Sequence, residues 1–199
     1  MIQRGLACAA GVAVIGCVLT SLCFVNSGWR RAWVSRDVRA AVLRLRRDPD
    51  DRETLQSILR LAKGHYSFGA TVATAGLGDI GKAASPVINE IAALMVSPNP
   101  YVRREAARSL EKLAPVSAAV LEDLARQVAK QPSDEVSSFA AKAIGANGEA
   151  ALEYLPLLQS KLGTGAKQFD NSLRRAIKLL ESVERQCKGV RPPQRNEGK

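Results

Sequence analysis

The chain has 199 residues, with 29 Lys and Arg against 19 Asp and Glu, a formal net charge of +10. That length holds one ordinary domain plus an appendage, and the charge directs attention to anionic partners, whether lipid headgroups, nucleic acid or an acidic protein face. Cys8, Cys17 and Cys23 lie in the apolar amino-terminal stretch and Cys187 near the end, and His65 is the sole histidine, which excludes a disulfide framework or metal-ligand spacing in the middle of the chain.

From Gly5 to Val25 there is no charged residue and no proline. At about 1.5 Å per residue this stretch reaches roughly 31 Å, the thickness of a bilayer's hydrocarbon core. Trp29, Arg30, Arg31 and Trp33 follow, the ring and guanidinium groups that a membrane–water interface favours. Three readings fit residues 1–28. One is an uncleaved single-pass anchor. Another is a secretory signal cut near Ser27, although the apolar run exceeds the usual ~7–15 residues. The last is a lipoprotein signal, because Val14-Ile-Gly-Cys17 resembles a lipobox and would make Cys17 the lipidated residue. Length and flanking charge favour the anchor. Arg30, Arg31, Arg36 and Arg39 outweigh Arg4, so the positive-inside rule puts the rest of the chain in the cytoplasm. Gly5, Ala9, Ala13, Cys17 and Ser21 form a stripe of small residues along which two anchors could pair as a homodimer.

Residues 29–51 read as a basic juxtamembrane helix and linker. Val34, Val38, Ala41, Val42 and Leu45 give one apolar face, and Arg36, Arg39, Arg44, Arg46 and Arg47 cover the rest. Residues 30–47 could lie on anionic headgroups at about 1 kcal/mol per basic residue, or cap the domain that follows. Asp48-Pro49-Asp50-Asp51 breaks the helix, and Asp50 with Glu53 resembles a capping box.

Residues 52–184 alternate helix signals with breaks. Leu55, Ile58, Leu59 and Ala62 form one face, ended by Gly64; Phe68 to Leu77 is a small-residue helix ended by Gly78 and Gly81. Ser85-Pro86 and Asn99-Pro100 are each predicted to cap and open a helix. The next apolar faces are Val102, Ala106, Ala107 and Leu110, then Val120, Leu121, Leu124 and Val128, then Val136, Phe139, Ala140 and Ile144, the last broken by Gly145 and Gly148. Leu152, Leu155, Leu158 and Leu162 precede a Gly163-Thr-Gly165 turn, and Leu173 to Val183 closes the series. No strand is predicted. Residues 185–199 are basic, lack an apolar period and are predicted to be disordered.

One phrase recurs within this series: Tyr101-Val-Arg-Arg-Glu-Ala-Ala-Arg-Ser-Leu110, then Glu135-Val-Ser-Ser-Phe-Ala-Ala-Lys-Ala-Ile144, then, more loosely, Ser172-Leu-Arg-Arg-Ala-Ile-Lys-Leu-Leu180. Val102, Val136 and Leu173 are about 34 and about 37 positions apart, a spacing typical of helical-hairpin repeats. Together with Gly78-Asp-Ile-Gly-Lys-Ala-Ala-Ser-Pro86, these phrases resemble the HEAT-repeat family, in particular its short bacterial and phycobilisome-lyase-type members. The resemblance spans 52–184 and is clearest over 76–150. It implies an all-α fold, a right-handed α-solenoid of about four hairpins, with the second helix of each pair lining a concave binding face. In that family the second helix opens on acidic residues and Val-Arg. Asp170 with Leu173-Arg174 matches this, whereas Asn99 stands where aspartate is common and Ser137 where arginine is.

No catalytic residue, cofactor or metal is expected. Glu90, Glu105, Glu111, Glu122 and Glu153 are scattered, no nucleophile sits in an elbow, and Gly78-x-x-Gly81 lacks the strand and Lys-Ser/Thr of a phosphate loop. Arg103, Arg104 and Arg108 share a helix, and with Lys142 they are the expected contacts for a protein partner with an acidic surface. The favoured reading is a non-catalytic, membrane-anchored scaffold for protein–protein interaction. Nucleic-acid binding, as in HEAT-like DNA-repair glycosylases, is the alternative, disfavoured because both tryptophans flank the apolar segment and not the repeats. An exported or lipoprotein envelope assembly factor is the other.

Overall fold

The structure, a computed structural model, describes residues 27–130 and 134–189. The expected anchor, its small-residue stripe and Cys17 therefore lie outside the described residues. Every regular element among the described residues is helical, consistent with a solenoid or a bundle. None of these helices is long and apolar enough to cross a membrane.

Helix α1 (Ser27–Arg47) starts seven residues ahead of the predicted helix. It buries Val38, Val42 and Leu45, and it stops where Pro49 disfavours helical geometry at Asp48. Helix α2 (Arg52–Ala62) is capped by Asp51, whose carboxylate accepts from the Thr54 amide at 3.0 Å and the Thr54 hydroxyl at 2.7 Å. The cap thus falls one residue beyond the expected Asp50, and Arg44 of α1 pairs with it at 2.8 Å.

Helix α3 (Ser67–Ile80) runs straight through Gly78. The expected break is instead a contact, since a Cβ on Gly78 would lie 2.8 Å from the Cα of Ser109. The chain turns at Gly81, where φ is +72°, a value that suits glycine. A 3-10 segment (Gly81–Val87), helix α4 (Ile88–Ala93) and a short 3-10 turn (Leu94–Val96) follow. Ser85 does not cap a helix as expected: its hydroxyl donates to the Lys82 carbonyl and Pro86 falls inside the 3-10 segment.

Asn99-Pro100 does open helix α5 (Pro100–Leu113), with the Asn99 side chain accepting from the Tyr101 amide at 3.0 Å. Helices α6 (Ala118–Ala129) and α7 (Glu135–Ala146) come next, α7 capped by Asp134. Like Gly78, Gly145 is internal to its helix and not a break; the turn comes at Gly148, where φ is +58°. A 3-10 segment (Gly148–Tyr154), helix α8 (Leu155–Ser160) and helix α9 (Lys167–Gly189) complete the described chain. The expected disorder from residue 185 is corrected over 185–189, where α9 continues and Lys188 pairs with Glu184 at 2.5 Å across one turn.

The main helix–helix contacts are serial: α1 with α3, α3 with α5, α5 with α7, α7 with α9, while α2 and α6 back onto α3 and α7. The serially packed helices α1, α3, α5, α7 and α9, termed the inner helices, run parallel. At their carboxyl ends, Arg46 donates to the Asp79 carbonyl at 2.6 Å and Lys112 pairs with the Asp79 carboxylate at 2.6 Å. At their amino ends, Asn99 donates to the Ser67 hydroxyl at 2.8 Å and Arg104 reaches Glu135 at 3.3 Å. One contiguous core runs from Val38 to Leu180.

Candidate interaction surface

The four expected contact residues divide. Arg103 is half-buried and donates to the carbonyls of Ser97 at 2.8 Å and Pro98 at 3.2 Å. It closes the turn before α5. Arg104 faces the next layer, bonding Glu105 and Glu135 and lying 5.6 Å over the Tyr101 ring. Partial burial works against its charge, but the bond to Glu135 and the charge of Glu105 outweigh it, so its pKa is raised. Arg108 sits one turn further along, half exposed and 3.7 Å from Glu105. Glu105 itself is buried, which two flanking guanidinium groups make tolerable.

Lys142 stands two turns beyond Glu135 on α7 with its ammonium 4.6 Å over the Phe139 ring, a stacked cation. It lines a shallow groove of about 490 Å³ between α7 and α9, with Lys167, Gln168, Asn171, Ser172 and Arg175. Three cations and no carboxylate line that groove. Lys167, Asn171 and Arg175 are four residues apart, the spacing of one helix face, and that spacing is the signal by which Lys167 could have been found from sequence. Arg108 and Lys112 on α5 and Arg175 on α9 are exposed, whereas Arg104 on α5 and Lys142 on α7 are half-buried.

The residues read as a membrane interface begin α1. Arg30 stacks 4.2 Å over the Tyr66 ring and Arg31 lies 5.4 Å from the Phe68 ring, which ties the start of α1 to the α2–α3 turn. Trp33 is half exposed under Arg36, at 4.2 Å, and Trp29 lies in the first turn of α1. Among residues 30–47, Arg44 and Arg46 are engaged by Asp51 and Asp79, and the apolar face of the helix packs on α3.

Among the described residues no group of His, Cys, Asp and Glu is placed to hold a metal ion. His65 is exposed at the α2–α3 turn. Comparison with protein-family models gives no match, and the curated proteins contain none that matches this chain.

Proposed function

We propose that this chain is a non-catalytic scaffold, a right-handed α-solenoid of about four HEAT-like hairpins held at the cytoplasmic side of a membrane by its apolar amino-terminal segment. The observation that carries the reading is the groove between α7 and α9, where Lys142, Lys167 and Arg175 meet with no carboxylate in the lining, beside half-exposed Arg108 on α5. Serial contacts between inner helices and polar links between residues about 33 positions apart support repeat architecture. An acidic segment of a partner protein would find complementary charge along several layers at once, and confinement to the bilayer would raise its effective concentration there.

The test is photo-crosslinking in intact cells, with the photoreactive residue placed at Arg108, Lys142 or Arg175 and, as a control, at Gln159 on α8. The expected result is a discrete protein adduct, in carbonate-washed membranes, from the inner-helix positions and none from the control. A soluble, processed chain would refute the anchor. Adducts to nucleic acid, or equal labelling from Gln159, would refute the scaffold surface.

A further inference from the structure

The parallel inner helices give the stack two unlike edges. The amino edge gathers the starts of α1, α3, α5, α7 and α9. Its neighbours are joined in series: Arg30 and Arg31 reach Tyr66 and Phe68, Asn99 reaches Ser67, Arg104 reaches Glu135, and the Lys161 ammonium donates to the Ala129 carbonyl at 3.0 Å. Besides Trp33 near the start of α1, two large apolar side chains are left in solvent on this edge, Val96 at 68% and Tyr101 at 57% exposure. They border a largely apolar depression of about 700 Å³ that also includes Lys63 and His65, and Val96 in addition borders a second hollow with Lys130.

Exposed cations occur on both edges. Exposed Arg31, Lys63, Lys130 and Lys167 belong to the amino edge. Its carboxylates are engaged: Asp134 caps Ser137, Glu135 holds Arg104, and Asp170 accepts from the Gly163 amide at 3.1 Å. The carboxyl edge mixes exposed Asp48, Asp50 and Glu149 with Arg46, Arg47, Lys82 and Lys112, and its Asp79 is held by Lys112.

Chain reach decides which edge meets a bilayer. Val25, the last residue of the apolar stretch, is two positions before the start of α1, and two residues span at most about 7 Å. Resting on the anchored reading above, we propose that the amino edge lies against anionic lipid headgroups, with Val96 and Tyr101 entering the interface between Lys63 and Lys130. Tyrosine flanked by lysine suits that depth, and each basic residue at an anionic surface strengthens binding about fivefold.

The test uses the full chain inserted in nanodiscs of phosphatidylcholine, with or without one-third phosphatidylserine, and amide hydrogen exchange as readout. Amides of 63–67 and 96–101 should exchange several-fold more slowly on the anionic discs, with 81–84 and 114–117 unchanged. The Lys63→Glu/Lys130→Glu variant should lose that slowing while remaining in the disc. Equal exchange on both lipids, or slowing at the carboxyl edge, in a chain that has inserted overturns this inference and leaves the anchor standing. A chain that does not insert at all, seen by co-flotation, overturns the anchored reading and this one with it.

Discussion

Gly145 presses its bare backbone against Ala176: a Cβ placed on Gly145 would lie 2.7 Å from the Cα of Ala176 and 2.9 Å from its Cβ. This is how α7 and α9 reach their closest approach. Gly78 meets Ser109 in the same way between α3 and α5, where the Ser109 hydroxyl donates to the Thr74 carbonyl at 2.9 Å. Gly145→Ala and Gly78→Ala should each lower stability by about 1–3 kcal/mol through overpacking, measured by urea unfolding. Ala176→Gly should not rescue Gly145→Ala, because the Cα of residue 176 stays in the way. Rescue would show that the crossing is looser than these distances imply.

Arg104 and Arg108 both face Glu105, but Arg104 is the less exposed and also holds Glu135. Arg104→Ala should therefore cost about 1–2 kcal/mol, since it strips a buried carboxylate of its closer partner. Arg108→Ala should stay within about 0.5 kcal/mol. A double-mutant cycle with Glu105→Gln separates pair energy from packing; equal losses from the two arginines would contradict this assignment.

Asn147 is buried where α7 ends, accepting from the Val116 amide at 2.6 Å and donating to the Ala143 carbonyl at 2.6 Å. Its removal leaves a backbone amide without its partner. Asn147→Ala should cost about 1–3 kcal/mol, and calorimetry should register the loss as a lower Tm.

The amide and then the hydroxyl of Thr54 hold the Asp51 carboxylate below its ordinary pKa of 3.8, against the opposing effect of burial and with help from Arg44. A carboxylate depressed in the folded state stabilises the fold above its unfolded pKa and ceases to do so as pH falls through the folded value. The difference in stability between the natural chain and Asp51→Asn should thus be constant from neutral pH down to about pH 5, and should shrink below pH 4. A difference that shrinks near neutral pH would point to another group.

Binding of a polyglutamate peptide, followed by fluorescence anisotropy, probes the α7–α9 groove. Affinity should fall as salt rises, and Lys142→Glu with Arg175→Glu should weaken it by about tenfold or more while leaving the fold within about 0.5 kcal/mol. Unchanged affinity in that variant would remove the groove from the binding surface.

The sequence made the alternation of helix and break legible, because apolar faces repeat at helical spacing and Asn99-Pro100 is a strong local start. It misplaced what depends on neighbours. Gly78 and Gly145 looked like breaks, since a helix-internal glycine and a terminal one are alike until the facing Ser109 or Ala176 is known. Ser85 has the right chemistry for a cap, but its hydroxyl finds the Lys82 carbonyl first. Arg104 and Arg108 could be placed on one side of α5 by counting turns. The engagement of Arg103 with Ser97 and Pro98 could not, because it depends on how the chain turns before α5. The bonds of Asp79 to Arg46 and Lys112 join layers whose relative register no local pattern reveals.

Serial contact among the inner helices has a mechanical consequence. Each layer takes its orientation from the one before it, so a small tilt at any interface is inherited by every layer beyond. The spacing from Arg104 to Arg175 is then the sum of two interfaces, α5 on α7 and α7 on α9. A ligand wedged between α7 and α9 would re-aim everything distal to it while α1 to α5 stayed as they were, held together at Asp79 by Arg46 and Lys112. Helix α9 is in that sense a pointer, and the layers before it are its mount.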